Sequence, residues 1–288
     1  MARILITGAN GQLGSAIKQL AEEFKPFHFF YADLPELDIS DSDKLNKFVE
    51  GSKPDYIINC AAYTAVDDAE SQGKKAFLIN AEGVKNLSEV SIIKGIRLFH
   101  ISTDYIFDGQ NYKPYTEEDT PNPQTTYGKS KLKGEEYLKN TINSVIIRTS
   151  WLYSGMQQSF YRKILNAATQ KSGIRVVYDQ IGTPTYAPDL GRAILEIINR
   201  IESRKTVFTP GIYHFSNEGV ASWYDFAFEI LQLTGVHCII KPVESDEYPS
   251  KTPRPHYSVL SKNKIKKTYG LHIPYWKDSL KKLVAETF

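Results

Sequence analysis

The stretch Arg3-Ile4-Leu5-Ile6-Thr7-Gly8-Ala9-Asn10-Gly11-Gln12-Leu13-Gly14 decides the fold of this chain. It begins with a short, β-branched apolar run that a glycine ends, which is typical of a buried parallel strand. Residues 12–24 then follow a helical period. A glycine loop between a first strand and a helix offers backbone N–H groups and a helix N-terminus to phosphate groups, so the segment predicts a dinucleotide-binding βα unit.

The glycines of this loop fall three residues apart, as GxxGxxG rather than the GxGxxG of many dehydrogenases. We expect Gly8 to make the turn, Gly11 to let the backbone approach a phosphate, and Gly14 to let the helix pack closely on the sheet. Asp33 follows a second strand about 20 residues later, where a carboxylate can bind ribose hydroxyls and repel the 2′-phosphate of NADPH. A turn aspartate before Pro35 is the alternative, and a nearby Lys or Arg could restore NADPH binding, so NADPH or NADH stays open. The predicted cofactor contacts are Gly8, Gly11, Gln12, Leu13, Gly14, Asp33, Asp38, Ile39, Ala61, Ala62, Tyr63, Tyr127 and Lys131.

The alternation of strands and helices continues through the first half of the chain. Further strands are predicted at 28–31, 56–59, 98–101 and 145–147, and helices at 42–49, 74–94 and 126–140. With the first strand, these segments predict five strands, joined by crossover helices, in an α/β, Rossmann-like doubly wound parallel sheet. Such a sheet binds its ligand at the carboxyl ends of the strands.

The pattern loosens in the second half, where aromatic and proline content rises. Helices are predicted at 160–170 and 188–201, with a short strand at 175–177. We predict an NAD(P)-binding Rossmann domain over 1–150 and a smaller α/β substrate lobe over 151–288. The second part is expected to be interleaved with the first rather than cleanly separate from it.

Composition excludes several classes of protein. The 288 residues are 41% hydrophobic and 24% charged, with a net charge of +2, which is ordinary for a globular protein and gives no general case for binding nucleic acid or an anionic membrane. The two cysteines, Cys60 and Cys238, form no CxxC pair, so we predict neither a disulfide scaffold nor a metal site. The N-terminus lacks the pattern of a signal peptide, and a cytoplasmic location is expected.

Three side chains are predicted to carry the chemistry. Tyr127 and Lys131 stand four residues apart on a predicted helix, which places a phenol and an ammonium on one face. A ketone reduction needs a proton donor near the carbonyl oxygen, and we expect the Lys131 ammonium to lower the pKa of Tyr127 and so make the phenol a better acid. Thr103 ends the fourth strand, where its hydroxyl can reach the substrate oxygen. His100 and His214 lie in apolar strands and are interpreted as core histidines.

These residues resemble the extended short-chain dehydrogenase/reductase family, and over its whole length the chain resembles the family of dTDP-4-dehydrorhamnose reductases. The segments that carry the resemblance are AAYTAVD at 61–67, STDYIFDG at 102–109, RTSWLY at 148–153, DQIGTPT at 179–185, and Arg254-Pro255 followed by Ser258. The resemblance implies hydride transfer from NADPH or NADH to C4 of dTDP-4-dehydro-β-L-rhamnose, which gives dTDP-L-rhamnose for cell-surface polysaccharide. It implies Thr103, Tyr127 and Lys131 as catalytic residues. The substrate contacts it implies are Thr103, Asp104, Tyr105, Trp151 and Arg254.

Two departures from related families narrow this interpretation. Nucleotide-sugar dehydratases of similar fold carry Asp then Glu after the threonine, whereas Tyr105 replaces the second carboxylate here, so the groups for elimination are incomplete. Some members of the reductase family form a dimer around a metal held by glutamates, at positions where this chain has Ala16 and Pro188. We therefore predict no metal, and a monomer or a homodimer.

Two other functions stay open from the sequence. The regulatory subunit of methionine adenosyltransferase is similar to these reductases, so a nucleotide-binding regulatory subunit is one alternative. The retained Thr103, Tyr127 and Lys131 argue against it, because a binding module needs no exchangeable proton beside a nicotinamide. A related nucleotide-sugar epimerase, which returns the hydride to its substrate, is the other.

Overall fold

The apolar runs of the sequence lie side by side in one parallel sheet of a computed structural model that describes residues 1–248 and 250–287. Its strands are β1 Arg3–Thr7, β2 His28–Ala32, β3 Tyr56–Asn59, β4 Arg97–Thr103, β5 Ser144–Thr149, β6 Leu152–Tyr153, β7 Gly173–Val177, β8 Ile181–Gly182, β9 Thr185–Tyr186, β10 Gly211–His214, β11 Ala221–Ser222 and β12 Ile239–Val243. Its α-helices are α1 Gln12–Leu20, α2 Ser42–Ser52, α3 Val66–Ala69, α4 Gly73–Phe77, α5 Gly83–Lys94, α6 Thr126–Leu138, α7 Phe160–Gln170, α8 Ala187–Glu202, α9 Trp223–Thr234, α10 Asn263–Tyr269 and α11 Trp276–Thr287.

Within the described residues the central sheet has six strands in the order β10-β5-β4-β3-β1-β2, and every neighbouring pair is parallel. The predicted α/β doubly wound fold is therefore confirmed. The chain order reverses where β1 and β3 lie side by side, since β2 follows on one side and β4 on the other. At such a switch point the loops after the two strands diverge and leave a crevice at their carboxyl ends. The glycine loop after β1 lies at this crevice.

The sixth strand comes from an unexpected part of the chain. Residues 1–150 supply five strands of the sheet, and β10 from the second half pairs with β5 at its edge. The helix predicted at 74–94 is also interrupted, because a π-helical turn at Leu78–Glu82 separates α4 from α5. The Asn80 side chain in this turn accepts from Tyr63 N and donates to Tyr63 O. The turn therefore fixes the loop after β3, which is a tertiary constraint that helical periodicity does not report.

Hydrophobic side chains cover both faces of the sheet. On one face, Ile4 and Ile6 of β1 pack with Ile17 of α1 and with Leu190 and Ile194 of α8. On the other face, α2 and α5 pack against the same strands, with Ile39 in that core. Because α8 belongs to the second half of the chain, the sheet region draws on both halves. The division into 1–150 and 151–288 stays a prediction, and Pro249 and Phe288 lie outside the described residues.

A separate core lies in the second half. Tyr153, Tyr161 and Phe226 pack there with Trp276, which is only 2% exposed. The rings of Tyr153 and Phe226 meet edge to face, with centroids 4.9 Å apart. Aromatic rings of this size each bury a large apolar area, so this cluster forms a second core that stabilises the elements of the second half.

A buried ion pair ties the sheet to α6. Arg148 of β5 donates from Nη2 to Glu135 Oε2 at 2.7 Å and from Nε to Glu135 Oε1 at 3.1 Å. Both side chains are nearly inaccessible, with 2% and 3% exposed. Tyr127, Lys131 and Glu135 stand at successive four-residue intervals, so they share one face of α6. The ion pair therefore anchors the helix face that carries the predicted catalytic residues.

Over residues 1–248 and 250–287, no helix is both long enough and apolar enough to cross a bilayer.

Candidate active site

The glycine loop forms a tight cradle at the carboxyl end of β1. Gly8 has φ +65°, and a Cβ on it would lie 2.5 Å from the Ala61 nitrogen. A Cβ on Gly14 would lie 2.6 Å from the Cα of Ala9, so Gly14 packs on the loop's own backbone rather than on the sheet as expected. Gly11 is the N-cap of α1, and among the described residues no side chain caps this helix. Its first N–H groups are therefore available to an anion, and this cradle fits the pyrophosphate of a dinucleotide.

The acidic residues after β2 are held by backbone amides. Asp33 accepts from Asn10 N at 2.7 Å and from Leu34 N at 2.8 Å, so its carboxylate links the glycine loop to the end of β2. Asp38 accepts from both the N–H and the hydroxyl of Ser40. Ile39 is only 3% exposed and lies in the core. Asp33 thus lies beside the cradle, while a cofactor could reach Ile39 only through its backbone.

The three residues predicted after β3 have different surroundings. Ala62 lines the crevice, next to Cys60. Ala61 packs beneath Gly8, and the Asn80 side chain holds the backbone of Tyr63. Ala61 and Ala62 lie between β3 and the glycine cradle, and their small side chains leave the floor of the crevice open.

One crevice of about 590 Å³ joins the cradle to the predicted catalytic residues. Among the residues that line it are Gly11, Gln12, Leu13, Cys60, Ala62, Thr103, Asp104, Tyr105, Tyr127, Lys131 and Trp151. Thr103, Tyr127 and Lys131 are all buried, with 5%, 9% and 2% exposed. A threonine at the end of β4 and two residues on one face of α6 are thus brought to one cleft from segments far apart in sequence.

Tyr127 lies in an environment that favours the protonated phenol. Burial raises its pKa well above the usual range, and the Thr103 hydroxyl opposes part of that rise. The Tyr105 ring packs edge to face against the Tyr127 ring, with centroids 5.6 Å apart. The expectation that Lys131 lowers the pKa of Tyr127 is wrong in this structure, because the lysine amine is directed elsewhere.

The Lys131 amine points to β4. Its Nζ donates to the carbonyl oxygen of Ile101 at 2.6 Å and lies 3.4 Å from His100 Nε2. Burial lowers the pKa of Lys131 to about 8, and the Glu135 carboxylate on the same helix face opposes part of this shift. A lysine in this state can exchange a proton near neutral pH, which an exposed lysine cannot.

Asp104 is a buried acid in the same crevice. It is 4% exposed, and its Oδ1 accepts from the Thr103 hydroxyl at 3.0 Å. Burial raises its pKa to about 6, against the opposing effect of that hydrogen bond. The group can therefore be neutral at mildly acidic pH.

The raised pKa predicts how Asp104→Asn changes stability with pH. A carboxyl whose pKa is higher in the folded than in the unfolded chain opposes folding above its folded pKa, and this penalty disappears below its unfolded pKa. We expect the variant to be more stable than the parent at pH 8, by about 1–3 kcal/mol. The advantage should shrink as pH falls from about 6 to about 4. Urea unfolding at pH 4, 6 and 8 measures it; a difference that does not vary with pH would contradict the prediction.

Trp151 lies in a strained conformation over the crevice. Its φ is +48°, in a region that non-glycine residues rarely adopt. Its indole stacks on that of Trp223, with centroids 3.6 Å apart and planes 7° from parallel. Gly182 lies against its edge, since a Cβ there would be 2.5 Å from the Trp151 ring. The stack and the glycine together hold the indole in place, at a backbone cost of about 1–3 kcal/mol.

Arg254 does not line the crevice itself but contacts Tyr105, which does. It donates to Asp67 Oδ2 at 2.6 Å and to the Tyr105 hydroxyl at 3.3 Å. Asp67 also accepts from the Thr252 hydroxyl, so it clamps this late segment onto α3. A second cleft of about 540 Å³ lies next to the first. Its lining includes Asp67, Phe160, Arg175, Gln180, Trp223, Lys251 and Arg254.

The sequence prediction missed several of these groups. Trp223 and Asp67 position predicted substrate contacts, yet neither was predicted as a site residue. Asp67 ends the family segment AAYTAVD at 61–67, and this membership could have identified it. Trp223 begins a helix and has no motif around it. Both act through long-range contacts that local spacing does not reveal.

The prediction of no metal rests on Ala16 and Pro188, neither of which is acidic. Ala16 and Pro188 line the same cavity beside α1, of about 320 Å³. In the part of the chain that the structure describes, no group of His, Cys, Asp and Glu side chains is arranged to hold a metal ion.

Proteins of similar sequence point to one family. The RmlD substrate binding domain family matches residues 2–288. The spore coat polysaccharide biosynthesis protein SpsK of Bacillus subtilis (strain 168) is 39% identical over 289 residues, which covers 99% of this chain and 98% of that protein. A dTDP-4-dehydrorhamnose reductase of Sinorhizobium fredii is 37% identical over 287 residues, with 98% of this chain and 96% of that protein covered.

Solved structures agree with the sequence relatives. The crystal structure of a dTDP-4-dehydrorhamnose reductase from Clostridium acetobutylicum has a TM-score of 0.92 at 41% identity, covering 99% of both chains. That of a dTDP-4-dehydrorhamnose reductase from Bacillus anthracis, in complex with NADP, has a TM-score of 0.91 at 37% identity, covering 100% of both. The family resemblance seen in the sequence is confirmed, and the chain belongs to the RmlD substrate binding domain family.

Proposed function

We propose that this chain is an NAD(P)H-dependent oxidoreductase that reduces the C4 keto group of dTDP-4-dehydro-β-L-rhamnose to give dTDP-L-rhamnose, a precursor of cell-surface polysaccharide. One observation carries the proposal: Thr103, Tyr127 and Lys131 line a single buried crevice that continues into the glycine cradle. Full-length relatives with the name of this reductase support the choice of substrate.

The cofactor would be held by the cradle and the residues around it. Gly8 and Gly14 let the loop pack tightly, Gly11 presents the N-terminus of α1 to a pyrophosphate, and Asp33 lies next to the loop for the adenosine ribose. When bound, the reduced nicotinamide supplies the hydride. Lys131 lines the crevice and would bind the hydroxyls of the nicotinamide ribose.

Proton transfer falls to Tyr127. Hydride addition to a ketone leaves an alkoxide, which takes the phenolic proton as the new O–H bond forms. Burial keeps the phenol protonated until that charge develops, and the Thr103 hydroxyl can turn from Asp104 to donate to the same oxygen. Thr103 lies at the carboxyl end of β4 and Tyr127 lies on α6, so the sheet and this helix fix the distance between the two hydroxyl groups.

The nucleotide-sugar would span the two adjacent clefts. We assign the sugar to the crevice, beside Asp104, Tyr105 and Trp151, and the nucleoside diphosphate to the second cleft. Arg175, Lys251 and Arg254 line that cleft beside the carboxylates of Asp67 and Asp68, so three cations are available to bind a diphosphate there. Arg254 contacts Tyr105 and therefore joins the two parts of the site.

Every predicted catalytic group lies on one chain, so the proposed reaction needs no second copy. We propose a monomer or a homodimer, and a cytoplasmic location where nucleotide cofactors are available. A purely regulatory subunit would not need a buried phenol that can give up its proton. An epimerase returns the hydride to its substrate and therefore causes no net oxidation of the cofactor.

The experiment follows cofactor absorbance after the dTDP-keto-sugar is added to the purified chain, with NADPH and NADH in parallel. We expect loss of one reduced cofactor for each sugar reduced. Cofactor binding without oxidation would support the regulatory alternative, and sugar conversion without net oxidation would support the epimerase. A UDP-linked keto-sugar serves as the control for recognition of the base.

A further inference from the structure

A buried chain of polar side chains runs beneath the crevice from β1 to Lys131. Thr7 Oγ1 donates to Asn59 Oδ1 at 2.7 Å, and Asn59 Nδ2 lies 2.9 Å from His100 Nδ1. His100 Nε2 lies 3.4 Å from Lys131 Nζ. These four side chains are at most 2% exposed. Because water is largely excluded, each donor needs an acceptor within the chain itself.

A backbone amide fixes the direction of these hydrogen bonds. The N–H of Ala61 lies 3.1 Å from Asn59 Oδ1 and can only donate. That side-chain atom of Asn59 must therefore be its carbonyl oxygen, and the atom that faces His100 must be its NH2 group. The NH2 group donates to His100 Nδ1, so Nδ1 carries a lone pair and no proton.

The proton of His100 is then assigned to its other ring nitrogen. Burial lowers the pKa of His100 well below its usual range, and the Lys131 cation lowers it further, so the ring is neutral. A neutral imidazole carries one N–H, which must be on Nε2 because Nδ1 accepts. This N–H points to Lys131 Nζ. An ammonium has only donors, so the contact sets a donor against a donor.

We propose that His100 is a positioning residue: by presenting Nε2–H rather than a lone pair, it turns the Lys131 amine onto the Ile101 carbonyl and disfavours the charged form of that amine. The proposal rests on the proposed function only for its kinetic consequence. The proton position on His100 is a property of the folded chain, whatever reaction the chain catalyses.

The other groups around Lys131 do not supply a second titration on the alkaline side of neutral pH. Asp104 in the same crevice has a pKa that burial raises to about 6, so it titrates on the acidic side. Cys60, at the end of β3, has a thiol whose pKa burial raises, so it stays protonated. Glu135 on α6 is paired with Arg148 of β5, and burial also raises the pKa of Tyr127. Burial lowers the pKa of Lys131 to about 8, and the proposal adds the His100 donor as a second influence on the same titration.

The test is nitrogen NMR of the cofactor-free protein labelled with 15N-histidine. His214 is an internal reference, because it is also fully buried and its Nδ1 lies 3.2 Å from the Tyr115 carbonyl oxygen, which can only accept. We expect two neutral histidines of opposite type: His100 with the proton on Nε2 and His214 with the proton on Nδ1. A His100 with its proton on Nδ1 would overturn the proposal without any variant.

Asn59→Asp tests the cause. A carboxylate at this position would accept from Ala61 N and Thr7 Oγ1, and could only accept from His100. The His100 proton is then expected on Nδ1, which leaves Nε2 as an acceptor for the Lys131 ammonium. Thr7→Val is the matched control, since it removes the other partner of Asn59 but keeps the Ala61 amide, and it should leave the His100 signals unchanged. Retention of the Nε2 proton in the aspartate variant above pH 7 would also reject the proposal.

The kinetic consequence is separate from the spectroscopic one. With an acceptor and a negative charge nearby, the Lys131 ammonium persists to higher pH, so the alkaline limb of kcat/KM should move up by about one pH unit or more in Asn59→Asp. Thr7→Val should not move that limb. If no turnover with the keto-sugar is found, the proposed function fails while the NMR result still decides the role of His100.

Discussion

Tyr127→Phe is expected to lower turnover by about 10²–10⁴-fold. The substitution removes only the phenolic oxygen, which is the group assigned to give its proton to the sugar alkoxide. The ring itself stays packed edge to face on Tyr105, so the shape of the crevice is retained. Cofactor binding should be nearly unchanged, because the glycine cradle and Lys131 are intact. Steady-state kinetics gives kcat, and quenching of protein fluorescence by NADPH gives the dissociation constant.

Tyr105→Phe is the matched control for this prediction. It removes the hydroxyl of a second tyrosine in the same crevice. This hydroxyl accepts a hydrogen bond from Arg254 and has no assigned part in the proton transfer. We expect a modest effect, mainly on KM, because the lost contact helps to place Arg254. Equal turnover in the Tyr127→Phe variant and the parent would show that another group is the acid.

Glu135→Leu is expected to destabilise the fold by about 3–5 kcal/mol. The loss leaves the Arg148 guanidinium as an uncompensated charge at a position that is 2% exposed. The size of the effect follows from desolvation rather than from the strength of the ion pair, since removal of one partner costs more than replacement of both. Urea unfolding at neutral pH measures the change.

Two further variants check this explanation. Glu135→Leu combined with Arg148→Met should recover most of the lost stability, because no unpaired charge remains in the core. Glu23→Gln breaks the Arg192–Glu23 pair, whose side chains are 42% and 53% exposed, and should change stability by less than about 1 kcal/mol. A Glu135→Leu variant within that range would mean that Arg148 finds another partner or water.

The parts of the site that local pattern decides were predictable from the sequence. A glycine loop after a first strand, a tyrosine and a lysine four residues apart, and a threonine at a strand end each follow from chain geometry over a few residues. The structure places the three predicted catalytic residues in one crevice, because parallel strands all end at the same edge of the sheet. Their assigned roles stay proposals for kinetics to test.

The features that the sequence did not reveal depend on contacts between distant segments. The sixth strand, β10, follows a long excursion through the second half of the chain, so the five strands before it gave no indication of its place. The direction of the Lys131 amine depends on Ile101 and His100 of another element, and i, i+4 spacing reports only which helix face the lysine shares. His100 was interpreted as an ordinary core histidine because a strand pattern shows burial but not hydrogen-bond partners.

The stack of Trp151 on Trp223 also gives the protein an optical signature. Only three tryptophans are present in the chain, and two of them lie parallel with ring centroids 3.6 Å apart at the border of the two clefts. Transitions of two indoles this close couple, and an in-plane twist between their transition dipoles produces a paired positive and negative band in the circular dichroism spectrum. Any sugar that parts the rings on entry would erase that couplet, so the molecule reports the filling of its own site without an added dye.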